Sequence, residues 1–278
     1  MHRAETWRYA ALLAAALLAA CGSSPKPPPE PRLRVQAQAL ETSGARRYAQ
    51  GDYGAAARHF AEAARLHSSF DDAGAASRNR LQQAQAELAL GQTQQALEHA
   101  SQVTEAPLQV QALLLQVQAL LVLERGDLAQ TRLSRLTALC EARCAERGRV
   151  QLLQARTAWA QGHAAQTVAL AEAALPLLRE QSEEREVANA WRLLAAARLA
   201  QGAGAAALQA AQAALAIDRQ LAVPEKIARD WLLIGDIQRR TAAPDAHLAY
   251  QRARAVAQAA GLKELVQLAD QSIKETSR

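Results

Sequence analysis

Large rings are scarce in this chain, which has four tryptophans, four tyrosines and two phenylalanines in 278 residues. Glycine and proline are also few, and five of the nine prolines lie between Pro25 and Pro31. Beyond residue 35 strong helix formers dominate, and alanine supplies about a quarter of all residues. No window alternates apolar and polar residues with β-branched enrichment, so strands are not expected. The fold class is therefore all-α.

Motifs for chemistry are missing too. There is no glycine-rich phosphate loop, no G-x-S-x-G elbow and no H-E-x-x-H pair. His59, His67, His99, His163 and His247 are scattered, and none stands at ligand spacing to another His or Cys. We expect no catalytic residue, no metal and no cofactor. The formal charge of +5 is small for the length, and basic and acidic residues are mixed along the chain. Nucleic acid is accordingly excluded as a partner.

What is present begins at the N-terminus. Arg3 and Arg8 precede an apolar run from Tyr9 to Ala20, which closes as Leu18-Ala19-Ala20-Cys21. A membrane-spanning helix needs about 20 apolar residues, but a secretory core needs only about 7–15 followed by small residues. An Ala/Leu helix with a chance cysteine is the plain alternative. The order of charge, apolar run, small residues and cysteine resembles a bacterial lipoprotein signal peptide with its lipobox. That resemblance implies a signal over residues 1–20, a lipidated Cys21 and a membrane-anchored mature chain. Gly22 stands where inner-membrane lipoproteins often carry Asp, so the resemblance implies the periplasmic face of the outer membrane. Residues 21–35 then form a proline-rich linker. Its extended conformation, at about 3.1 Å per residue, gives a reach of roughly 30–40 Å.

From residue 36 the sequence repeats itself. Ala49-Gln50-Gly51-Asp52, Leu90-Gly91-Gln92, Arg125-Gly126-Asp127, Ala160-Gln161-Gly162-His163 and Ala200-Gln201-Gly202-Ala203 recur every 35 to 40 residues. Each glycine is expected to end one helix and admit the next, through a left-handed conformation that costs it little. Small residues follow at helical spacing, as in Ala56-x3-Phe60-x2-Ala63 and Ala246-x3-Tyr250-x2-Ala253. With Trp231-x2-Ile234-Gly235 and the looser Trp191-x2-Leu194-Ala195, the pattern resembles a tetratricopeptide repeat array. The resemblance implies an α-solenoid of about six helix pairs, starting near residues 37, 77, 112, 148, 188 and 228. The array would span residues 36–261, and a capping helix would fill 262–278. Pro176 falls inside a second-helix pattern, Thr131 and Arg135 spoil the third repeat, and the sixth needs a one-residue deletion near Pro244.

A solenoid of this kind exposes a concave face built by its first helices. The helical register puts Glu41, Tyr48, Arg78, Gln85, Gln116, Arg149, Leu152, Arg156, Trp159, Asn189, Arg192, Arg229, Asp236 and Arg239 on that face. The expected partner-binding groove is Arg78, Arg149, Arg156, Trp159, Asn189, Arg192, Arg229 and Arg239. Guanidinium groups bind carboxylates in a fork, so an acidic or extended protein segment is the expected ligand. A solvated arginine-rich face is the plain alternative. Cys140 and Cys144, one helical turn apart or across a repeat junction, form either a local disulfide or two free thiols. Zinc is the poorest fit, with half the ligands it needs. The resulting expectation is a membrane-tethered scaffold for assembly of a cell-envelope complex. A periplasmic chaperone or adaptor for extended clients is the alternative, and an accessory subunit of a wall-modifying enzyme is a third.

Overall fold

The computed structural model describes residues 31–140 and 144–276. Cys21, the signal segment and the linker as far as residue 30 lie outside the described residues. Thirteen α-helices and no strand occur among the described residues. They are α1 (Arg32–Ala49), α2 (Tyr53–Ser69), α3 (Ala73–Leu90), α4 (Thr93–Ser101), α5 (Gln109–Val122), α6 (Gly126–Leu139) and α7 (Arg147–Ala160). Then follow α8 (Ala164–Glu180), α9 (Glu184–Ala200), α10 (Gly204–Gln220), α11 (Pro224–Arg240), α12 (Ala246–Ala259) and α13 (Lys263–Thr276). Helices α1 to α12 pair consecutively into six antiparallel hairpins, and α13 closes the last. The odd-numbered helices also touch one another from α3 to α13, so they form the inner layer of the solenoid. The start of α1 at Arg32 corrects the expected linker boundary, because Arg32 to Val35 are already helical.

One turn geometry is used again and again. After α1, Gly51 takes φ +79° and the Asp52 N–H donates to the Arg47 carbonyl at 3.0 Å. This six-to-one bond fills an orphan carbonyl at the helix end, and the next helix starts at once. Asp52 then accepts from the Ala55 N–H at 3.1 Å and caps α2. The same left-handed residue recurs at Asp71, Gly91, Glu124, Gly162, Ser182, Gly202, Ala222, Ala242 and Gly261. Gly162, Gly202 and Ala242 follow at intervals of 40 residues, so repeats four to six keep a strict register.

Gly126 does not fill the role expected of it. It is the first residue of α6, and Glu124 holds the left-handed turn at φ 56°. A side chain in that conformation costs about 1–2 kcal/mol, while glycine costs extra backbone entropy on folding. We expect Glu124→Gly to stabilise the array by roughly 0.5–1 kcal/mol net, read as a raised urea midpoint at unchanged slope.

Both irregular junctions flank the third repeat. Before it, α4 is only nine residues long, and Pro107 sits in a short 3-10 turn, Ala106–Leu108. After it, α6 and α7 share the thinnest seam of any consecutive helices, and a Cys140–Cys144 disulfide crosses it with Cα atoms 5.0 Å apart. Pro176 lies inside α8, which continues through it to Glu180. The core between hairpins is mostly alanine and leucine, as in the cluster of Leu178, Leu194, Ala195, Ala207 and Ala211. The two rings at the helix-crossing points sit against glycines. A Cβ on Gly44 would meet Phe60 at 2.8 Å, and one on Gly235 would meet Tyr250 at 2.4 Å.

Candidate interaction groove

Among the described residues, some of those expected on the inner face divide between two separate basins. The first, about 310 Å³, lies across α3, α5 and α7 and brings Arg78 and Arg149 together with Gln82, Gln85 and Gln111 over a floor of Leu81, Leu114 and Leu115. Arg78 is exposed, whereas Arg149 is half-buried and donates to Glu146 at 3.2 Å. The Arg149 Nε is buried without a hydrogen-bond partner. Tyr48 stands near this basin, and burial followed by the neighbouring Tyr53 pushes its phenol above the ordinary value.

The second basin, about 330 Å³, lies across α7, α9 and α11 and is lined by Arg156, Asn189, Arg192, Leu193, Ala196 and Lys226. Among the described residues Arg156 has no ion-pair partner; burial lowers its pKa, with Glu186 the carboxylate that opposes the shift. Burial, and next Arg192, push the Lys226 ammonium below the usual lysine value. Arg192 is differently placed. Its Nε donates to Asp230 Oδ1 at 2.6 Å, one terminal nitrogen to Asn189 Oδ1 at 2.7 Å, and the other to Asp218. Asp218 and Asp230 are almost wholly buried.

Several expectations need correction. Arg192 is not a free groove arginine but the centre of a buried ion cluster that also forms part of the basin wall. Arg229 pairs with Glu225 at 2.9 Å, and Arg239 with Asp236 and Glu275 at 3.8 and 3.7 Å. Neither lines either basin. Trp159 is 38% exposed near the end of α7 and is also outside both linings. Leu152 and Gln116 are buried; Gln116 donates to the Ala100 carbonyl at 3.1 Å and ties α5 to α4. Glu41 accepts from Asn79 at 2.6 Å and faces the buried His67 at 2.9 Å, so it holds repeats one and two together. Lys226 was not among the expected residues. Its signal was Pro224, which marks the first helical position and places Lys226 in the first turn of α11.

Among solved structures, the chain is similar over 86% of its length to a chain of the APC/C hetero-tetramer Cut9–Hcn1, with a TM-score of 0.71 and 16% identity. It spans 42% of that chain. It is also similar over 86% of its length to a Rap protein complexed with Competence and Sporulation Factor, with a TM-score of 0.64, 12% identity and 74% of that chain covered. A third likeness is to a thermophilic tetratricopeptide repeat protein of Thermus thermophilus, with a TM-score of 0.52 and 22% identity, covering 70% of this chain and 99% of that one. No protein-family model matches the sequence, and no curated protein matches it. The fold is thus a tetratricopeptide-type α-solenoid.

Proposed function

We propose that the protein is a non-catalytic scaffold whose concave face binds an acidic, extended segment of another protein. The observation that carries this reading is the second basin, where Arg156 and Lys226 face the same space from α7 and α11 without a carboxylate ion-pair partner among the described residues. Half-buried cations without partners carry a desolvation cost, and an incoming carboxylate lowers that cost. Partner binding by this fold is supported by two of the structural neighbours, one complexed with Competence and Sporulation Factor and the other part of the Cut9–Hcn1 hetero-tetramer. Charge reversal at Arg156→Glu with Lys226→Glu is expected to remove the partner in in-cell crosslinking while leaving the helical circular dichroism unchanged. A single stoichiometric crosslink that survives both substitutions overturns the groove reading. Many substoichiometric clients, lost together, would instead support the chaperone alternative.

The resemblance at Cys21 further supports a lipid tether on the periplasmic face of the outer membrane, from which the array serves assembly of an envelope complex. Cys21→Ser is expected to move the chain from the membrane to the soluble fraction on cell fractionation. Retention on the membrane overturns the tether.

A further inference from the structure

Beneath the second basin, three charged residues interrupt an apolar pattern. The 40-residue register of repeats four to six makes Arg192 the counterpart of Leu152 and Leu232, Asp230 the counterpart of Val150 and Ala190, and Asp218 the counterpart of Leu178. All five counterparts are buried. A buried ion cluster seldom adds stability over the apolar contact it replaces, so stability is a poor account of this one. Its geometry suggests another. One guanidinium serves two buried carboxyl groups, and Asp230 Oδ2 is buried without a hydrogen-bond partner. Two buried carboxylates against one guanidinium would leave a buried net negative charge, so Asp230, with its unpartnered oxygen, is the group placed to take up a proton. Arg192 touches both carboxyls and also the basin, so that proton changes the charge facing a bound ligand by one unit.

We propose that capture of an anionic group by Arg156, Arg192 and Lys226 is coupled to protonation of Asp230, so that the basin holds an acidic partner while Asp230 is protonated and releases it as Asp230 ionises. The proposal rests on the reading of this groove as a site for acidic segments. The charged groups around the pair are Arg156 on α7, Glu186 and Arg192 on α9, Asp218 itself on α10, and Glu225, Lys226 and Arg229 on α11. Burial raises the Asp230 carboxyl to about 7, with Arg192 opposing the shift. Below that value the pair and Arg192 together are neutral, and Arg156 and Lys226 add two positive charges. Above it, an extra negative charge sits one side chain from the ligand. By linkage, a bound anion must favour protonated Asp230 to the same extent that protonated Asp230 favours the anion.

The test uses a fluorescein-labelled tetraglutamate peptide, followed by anisotropy with the full chain at about pH 6 and about pH 8 and constant ionic strength, a window in which glutamate stays ionised. Wild type is expected to bind about tenfold more tightly at the lower pH, within the limit of one linked proton. Asp230→Asn, which fixes the neutral state, is expected to bind tightly and equally at both, and Asp218→Asn serves as a second variant if the first folds poorly. A slope kept by these variants would come from histidines elsewhere and would overturn the proposal. Binding with no slope in wild type overturns the coupling alone. No binding at either pH, or binding unaffected by Arg156→Glu with Lys226→Glu, overturns the groove reading and the coupling with it.

Discussion

Arg192→Leu on its own is expected to destabilise the array by about 3–5 kcal/mol, because it strands two buried carboxyl groups. The same change combined with Asp218→Leu and Asp230→Ala is expected to be neutral or to stabilise by about 1–4 kcal/mol. Each new residue is one that a neighbouring repeat already uses at the equivalent position, namely Leu152 or Leu232, Leu178 and Ala190. Since those side chains pack in the buried core of their own repeats, the triple variant asks for no backbone that the array does not already make. Urea unfolding of the single and triple variants checks the pair of results. A triple variant as unstable as the single one would mean that the local backbone has diverged from its neighbours. The pH dependence has a definite sign. Asp230 is raised in the folded state, so its contribution is favourable below the usual carboxylate range and is lost as pH rises towards about 7. The advantage of the triple variant over wild type is therefore expected to grow with pH across that window.

That cluster also shows why the groove was only partly legible in the sequence. Helical period and turn glycines locate the hairpins, because among the described residues ten helix junctions use one backbone geometry that glycine favours. They do not locate the first turn of each inner helix. Expected starts near 77, 188 and 228 compare with Ala73, Glu184 and Pro224, since residues such as Glu184, Arg185 and Glu186 carry no apolar period. A four-residue error of this kind is one helical turn, which is why Lys226 went unnoticed. Arg192 is a different failure. Its type says surface and its repeat position says core, and the position decides, because the carboxylates that hold its half-buried guanidinium come from α10 and α11, 26 and 38 residues away. Glu124 fails similarly: the nearby Gly126 offers the better turn residue, but the register of α5 sets the turn two residues earlier.

The second large effect concerns the opposite kind of site, one the sequence announces clearly. In Trp231-x2-Ile234-Gly235 the glycine admits the Tyr250 ring of the paired helix, which is fully buried. Gly235→Ala is expected to cost about 1–3 kcal/mol, because a Cβ within 2.4 Å of the ring must push α11 and α12 apart. Tyr250→Ala is expected to cost about 3–5 kcal/mol through the cavity it leaves. Its hydroxyl donates to Asp236 at 2.7 Å, and burial followed by that carboxylate raises the phenol well above its ordinary value; Tyr250→Phe, which removes this one bond, should cost only about 1 kcal/mol. The double variant Gly235→Ala with Tyr250→Ala should lose less than the sum of the two, since the new methyl enters the vacated space. Solenoid stability is carried by contacts between neighbouring repeats, so the damage is expected to stay local. Amide exchange should rise across α11, α12 and α13 and remain at wild-type levels in α1 to α4. Uniform acceleration along the chain would show instead that the six hairpins unfold as one cooperative unit, with the disulfide-bridged seam between α6 and α7 no barrier to the spread.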